Sequence, residues 1–259
     1  MRMYKIFALM YADFLLVRNS KWKIVEYLYF PITTVLIYGL FSVFVSGYAA
    51  EAGLMIFIVN ILWSFALLAQ SHVNTSMNED SWSGSLKQIM TSGVTDIEYI
   101  TARIISSVVL SLPVLVLLVG ISVALFSTNL FITQWQAFTY ITVSTLVASI
   151  GLSVFIAGAM IALGREYGFL AWTALQAFIL LSAPFYPVSL FPESIRPLVN
   201  VMPYTNAFES TRGLISGADV AAGMNTAMIV ALAYLAVSLV FYKYIFSEAK
   251  KRVWLTRLS

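Results

Sequence analysis

IISSVVLSLPVLVLLVGISVALFSTNLFITQWQAFTYITVSTLVASIGLSVFIAGAMIALG, from Ile104 to Gly164, runs for 61 residues without an aspartate, glutamate, lysine, arginine or histidine. A membrane helix needs about 20 mostly apolar residues to cross roughly 30 Å of hydrocarbon, so this run is long enough for two crossings. Ser127-Thr128-Asn129 has the polar composition of a turn and divides it, and Trp135 is placed to anchor the second helix at an interface. Gaps between charges mark the other spans. Tyr27–Ala50, Ala52–Asn78 (broken only by His72), Tyr167–Pro192 and Val220–Tyr242 are free of Asp, Glu, Lys and Arg. The pattern predicts an all-α integral membrane protein of six transmembrane helices, with residues 1–259 forming a single transmembrane domain.

Composition agrees. Of the 259 residues 60% are hydrophobic and 10% charged, against about 25% charged in soluble domains. Fifteen lysines and arginines face twelve acids, an excess too small to suggest nucleic-acid binding. With no cysteine and one histidine, disulfide frameworks, thiolate chemistry and multi-imidazole metal sites are excluded. The basic residues are unevenly placed. Thirteen (Arg2, Lys5, Arg18, Lys21, Lys23, Lys87, Arg103, Arg165, Lys243, Lys250, Lys251, Arg252 and Arg257) fall on one side of the six-span arrangement, and only Arg196 and Arg212 on the other. The positive-inside rule then predicts a multi-pass protein of the cytoplasmic membrane with both termini cytoplasmic.

Three segments are not crossings. In residues 1–24, Ile6, Leu9, Met10, Phe14 and Val17 recur at spacings of three and four, interrupted by Asp13 and Arg18. The segment reads as an amphipathic helix in the cytoplasmic headgroup layer. In the cytoplasmic loop 73–103, Leu86, Ile89 and Met90 form a small apolar face and Gly93 supplies a helix stop. Thr95-Asp96-Ile97-Glu98 then has the spacing of a capping box. The outer segment 184–217 holds five of the seven prolines: Pro184, Pro187, Pro192, Pro197 and Pro203. Proline stops helices, and unpaired backbone is costly in lipid, so this segment is expected as short re-entrant helices between spans five and six. Ile195, Leu198, Val199 and Met202 predict one of them. Asn206 and Glu209 have capping-box spacing for a second that ends at Gly217, with Arg212 an ion-pair partner for Glu209.

These segments resemble the type-2 class of ATP-binding-cassette (ABC) transporter permeases, the transmembrane subunits of ABC exporters, over nearly the whole chain. Glu79-Asp80-Ser81-Trp82-Ser83-Gly84-Ser85-Leu86-Lys87-Gln88-Ile89-Met90-Thr91-Ser92-Gly93-Val94-Thr95 follows the family's loop after the second span. Gly93 stands where proline is usual and Lys87 where an acid is frequent. Phe185-Tyr186-Pro187-Val188-Ser189-Leu190-Phe191-Pro192-Glu193, then Met202-Pro203-Tyr204-Thr205, then Glu209 and Arg212-Gly213-Leu214, follow the family order through the re-entrant region, with Met202 where asparagine is common. The resemblance implies an ATP-driven exporter of a hydrophobic or amphipathic substrate such as a drug, lipid or lipid-linked glycan. It implies a second permease copy, and a separate ATPase subunit that carries ATP and Mg. Contacts to that ATPase would come from Glu79, Asp80, Gly84, Leu86, Ile89, Thr95 and Glu98. The outer gate would be built from Tyr186, Pro187, Pro192, Pro203, Glu209 and Arg212.

The chain itself lacks a P-loop: none of its 13 glycines is followed by lysine, the residue that holds the phosphates. No cofactor or catalytic residue is expected in it. An ion-coupled secondary transporter or channel is the alternative reading, and such proteins usually carry ionisable groups within their spans. The span cores read as free of them. Asn60, Ser64 and Ser71, which fall on one side of the second helix, together with Thr173 and Gln176 on the fifth, are the candidate pathway-lining residues. Ser149, Ser153 and Ala157, and also Gly158 and Ala162, repeat at four-residue intervals and suit close helix packing.

Overall fold

A computed structural model describes residues 2–126, 128 and 130–251. Ser127 and Asn129 of the expected turn, and Arg252 and Arg257 of the basic tail, lie outside the described residues. All regular structure among the described residues is helical. In chain order the helices are α1 (Met3–Asn19), α2 (Lys21–Ser46), α3 (Ala50–Ser83), α4 (Ser85–Thr91), α5 (Asp96–Phe126) and α6 (Leu130–Thr133). They continue with α7 (Trp135–Leu163), α8 (Leu170–Leu181), α9 (Arg196–Asn200), α10 (Thr205–Ile215) and α11 (Ala221–Lys251). Five of them (α2, α3, α5, α7 and α11) are long and apolar enough to cross a membrane. The chain is therefore built as a multi-pass membrane protein.

Burial ranks these five. In the most apolar stretch of each helix, 72% of α3 and 61% of α7 is buried, against 22% of α2, 22% of α5 and 17% of α11. The bundle therefore has α3 and α7 at its centre, with α2, α5 and α11 turning broad apolar faces outward. Leu40 and Phe44 on α2, Val116 and Leu125 on α5, and Val237 and Val240 on α11 are all exposed. In water such faces would be an aggregation hazard, whereas in a bilayer the surrounding solvent is as apolar as they are.

Helices α7 and α11 pack most closely, and the reason is two glycines. A Cβ at Gly151 would lie 2.9 Å from the Leu235 backbone nitrogen, and one at Gly158 3.3 Å from Tyr242 Cα. The glycines are two helical turns apart, so the close approach persists along one stripe. Ser149, Ser153 and Ala157 are fully buried beside it, in keeping with the small-residue repeat in the sequence.

Because Gly151 meets Leu235 and Gly158 meets Tyr242, the two helices run parallel. The chain between them must return along the bundle. It does so through a 3-10 turn at Arg165–Phe169 and α8, whose 12 residues extend about 18 Å, followed by the irregular segment that holds α9 and α10. The start of this return is fixed to α3, since a Cβ at Gly168 would fall 2.6 Å from Asn78 Oδ1. Polar side chains tie the centre together. Gln70 donates to Asn74, Asn74 Nδ2 donates to the Ser153 carbonyl at 2.8 Å, and Ser107 Oγ donates to the Ala69 carbonyl at 2.5 Å.

Replacing Gly151 with leucine should force α7 and α11 apart. Overpacking of this kind costs about 1–3 kcal/mol, so the detergent-solubilised variant should melt several degrees below the wild type. Gly120→Leu, where nothing lies within 4 Å of an added Cβ, should leave the melting temperature unchanged.

Candidate functional site: a charged cavity at one end of the bundle

Helix α3 ends at Gly84, whose φ of +73° lets the chain reverse without a Cβ clash. The chain folds back as α4, which Gly93 at φ +81° stops in the same way. Leu86 is buried and Ile89 and Met90 are half-buried against α5, α7 and α11, while Lys87, Gln88 and Thr91 stay exposed. The capping box predicted for α5 is formed in both directions: Thr95 N–H donates to Glu98 Oε2 at 3.1 Å, and Glu98 N–H to Thr95 Oγ1 at 3.2 Å. Glu98 also accepts from the Arg2 amide at 2.6 Å, and Lys5 Nζ donates to the Gly93 carbonyl. Helix α1 is thereby laced to the start of α5.

A buried ion cluster makes the same connection more firmly. Arg103 on α5 pairs with Asp13 of α1 and with Asp80 of α3. The side chains of Arg103 and Asp13 are 4% and 2% exposed, so neither charge could be left behind cheaply if the other were removed. Asp80 is filled on both oxygens. Oδ1 accepts from Ser85 Oγ at 2.8 Å, and Oδ2 accepts from Tyr99 OH at 2.6 Å as well as from Arg103. The Arg103 guanidinium lies 5.0 Å from the Tyr99 ring centre, a cation–π distance.

Asp13 therefore does not interrupt the apolar face of α1; it lies on that face, among Ile6, Leu9, Met10 and Val17, while Phe14 turns outward. Arg103 and Asp80 lie just beyond the charge-free runs and are drawn inside the bundle end. A carboxylate in the middle of an apolar stripe was the available signal for a buried partner.

Beside this cluster lies a cavity of about 350 Å³ between α1, α2, α3, α5 and α8. Ser64, Ser71 and Gln176 line it, and so do Glu79 and Asp80. Residues assigned separately to a pathway and to partner contact thus share one chamber. Asn60 and Thr173 do not reach it. Asn60 is buried elsewhere on α3, and exposed Thr173 donates to the Phe169 carbonyl at 3.2 Å. Lys23 and Glu79, paired at 2.6 Å, stand at the cavity's more exposed edge. His72 is the one ionisable residue within the Ala52–Asn78 run. It is 3% exposed, lines the cavity, packs 5.7 Å from the Tyr27 ring, and has no Nδ1 partner among the described residues.

The opposite end is organised by α10. Tyr204, fully buried, comes within 3.2 Å of Ser149 Oγ on α7, and Thr205 Oγ1 donates to the Val199 carbonyl at 2.5 Å. Glu209 pairs with Arg212 at 2.6 Å, at the predicted spacing. The capping role expected for Asn206 and Glu209 is not what forms. Helix α10 already begins at Thr205 with no side-chain cap, and Asn206 Nδ2 donates instead to the Asn200 carbonyl. Glu209 Oε1 accepts the Val188 amide at 3.1 Å, a free amide at the start of the short 3-10 turn Val188–Leu190, while Arg212 donates to the Ala183 carbonyl at 3.3 Å. Pro203 is buried under α10, Tyr186 is half-buried, and Pro187 and Pro192 are exposed. The spacing of Ile195, Leu198, Val199 and Met202 yields only the five residues of α9.

Compared with models of known protein families and with curated proteins, the chain matches none.

Arg103→Leu leaves Asp13 and Asp80 buried without their cation and should cost about 3–5 kcal/mol, read as a large fall in the melting temperature. The double variant Arg103→Leu/Asp13→Leu should lose less than the sum of the two single variants; losses that simply add would show that the pair is not energetically coupled. At the other end, Glu209→Gln keeps an acceptor for the Val188 amide and should melt above Glu209→Ala, which loses both contacts.

Proposed function

We propose that the chain is the membrane-spanning subunit of a type-2 ABC exporter, moving a hydrophobic or amphipathic substrate outward across the cytoplasmic membrane. In this reading both termini and α4 are cytoplasmic, and α8 with its preceding 3-10 turn makes the fifth of six crossings. The segment holding α9 and α10 is re-entrant from the outer face. Support for the sixth crossing is the parallel run of α7 and α11, which requires a return between them. The charge distribution and the two sequence patterns support the rest.

The observation that carries the reading is the setting of α4. A two-turn helix with an exposed polar face (Lys87, Gln88, Thr91) is held between two left-handed glycines. At its start Ser85 donates to Asp80 of α3, which also holds Arg103 of α5, and just past its end the Gly93 carbonyl accepts from Lys5 of α1. A force applied to α4 by an ATPase subunit would reach three helices. Binding of ATP and Mg to that subunit must favour one arrangement of the permease over the other, since a ligand shifts an equilibrium only by its differential affinity. The exposed apolar faces of α2 and α5 are available to lipid and to a second copy of the chain.

Asp80 and Glu98, which the resemblance assigns to ATPase contact, have internal partners that give them a structural role as well. Glu79 is engaged by Lys23. Contact with the ATPase is therefore assigned mainly to the exposed face of α4. The alternative, an ion-coupled transporter or channel, is favoured by one observation: the ionisable groups around the cavity.

The test is affinity purification of the tagged chain from its native membrane in mild detergent. A P-loop ATPase should co-purify and hydrolyse ATP. Gln88→Trp, which places bulk on the exposed face of α4, should abolish co-purification while the melting temperature stays unchanged. Uphill transport by the chain reconstituted alone under an ion gradient would overturn the proposal and establish the alternative.

A further inference from the structure

Four polar atoms around the cavity lack a hydrogen-bond partner among the described residues: Asp13 Oδ2, His72 Nδ1, Thr75 Oγ1 and Arg103 Nε. All four residues line the cavity. Asp13, His72 and Arg103 are 3%, 3% and 4% exposed. Buried polar atoms are nearly always satisfied, because one left bare has lost its hydration with nothing in exchange. Three separate helices contribute them: α1, α3 and α5. The four residues border one void, with the unpartnered atoms just beneath its wall, within reach of a ligand that displaces that wall.

Charge narrows the class. The chamber carries three carboxylates (Asp13, Glu79 and Asp80) against two cations, Lys23 and Arg103. Arg103 is already engaged by two of the carboxylates, and Lys23 by the third. An anionic head would have to displace one of these pairs, whereas a cationic head meets the unfilled oxygen of Asp13. The remaining wall is apolar and aromatic: Tyr27, Phe30 and Pro31 from α2, with Leu67 and Leu68 from α3. A protonated amine is stabilised near aromatic faces, and a tail lies comfortably against leucine. The volume falls at the lower end of small-molecule pockets, too small for a whole two-chain lipid.

We propose that this cavity is a binding site for an amphipathic amine, its protonated head hydrogen-bonded to Asp13 and near His72, its apolar body against Tyr27, Phe30 and Leu68. The amine donates to Asp13 Oδ2 and to the lone pair of His72 Nδ1. The site rests on the cavity alone; it names the substrate class of the proposed exporter only if that reading also holds.

The experiment uses the purified full chain in phosphatidylcholine nanodiscs. Equilibrium dialysis against empty nanodiscs corrects for membrane partition. The probes are dodecylamine, dodecanol and dodecyl sulfate, matched in tail and differing in head. Dodecylamine is expected to bind at least about tenfold tighter than either control and to raise the melting temperature. Asp13→Asn tests the head contact but risks the fold through Arg103, so two further variants are read beside it. Ser71→Phe fills the void, and His72→Phe removes the second acceptor. Each should weaken dodecylamine by about tenfold or more with the unliganded melting temperature retained.

Equal binding of the three probes would overturn the proposal. So would tighter binding of the sulfate, or dodecylamine affinity unaltered by Ser71→Phe. An ATPase that fails to co-purify would remove the exporter reading and leave this binding result standing, so the two failures are distinguishable.

Discussion

Arg103 between Asp13 and Asp80 is the contact on which one whole end of the molecule depends. A guanidinium taken out of water is tolerable only where carboxylates replace its hydration, and here they come from two other helices. The arrangement makes α1 part of the bundle instead of a helix merely resting on lipid. It also fixes where α3 stops, because the carboxylate that holds Arg103 receives Ser85 just beyond the turn at Gly84 and Tyr99 from the first turn of α5. The hairpin of α3, α4 and α5 is therefore closed by charge as well as by the burial of Leu86.

The other end is built on a different principle. Its prolines remove amide donors and prevent long helices, so the chain relies on single side chains that reach back to the main chain. Glu209 takes the Val188 amide, Arg212 the Ala183 carbonyl, Thr205 the Val199 carbonyl and Arg196 the Phe191 carbonyl. Between the two ends, α3 and α7 carry the load. Helix α7 meets α11 through small residues and α3 through the polar contact of Asn74 with Ser153, which suits helices that gain little from hydrophobic association within lipid.

The cavity follows from the same geometry. Helix α1 docks on α5 through the Asp13–Arg103 bridge, and the cavity lies beside that bridge, walled also by α2, α3 and α8. Its polar rim and aromatic wall are a by-product of docking an amphipathic helix through a buried ion pair.

Much of this was legible before folding was considered. Uninterrupted apolar runs gave the five long helices, since length and hydrophobicity alone decide what can cross a bilayer. Thr95 with Glu98, Gly93 as a stop and Glu209 with Arg212 were readable because contacts three residues apart are set by helical pitch. What spacing could not reveal were pairings across the fold. Asp13 and Arg103 lie 90 positions apart, and the charge that looked like a break in an amphipathic pattern became its anchor only once α1 had docked. The capping box of Asn206 and Glu209 does not form because α10 already begins at Thr205, one residue before Asn206, and Glu209 accepts the Val188 amide from a distant segment. Local periodicity specifies which elements form, but the buried charges are neutralised, and the cavity beside them is shaped, only where distant helices meet, because desolvation is a property of the assembled bundle and not of any one segment.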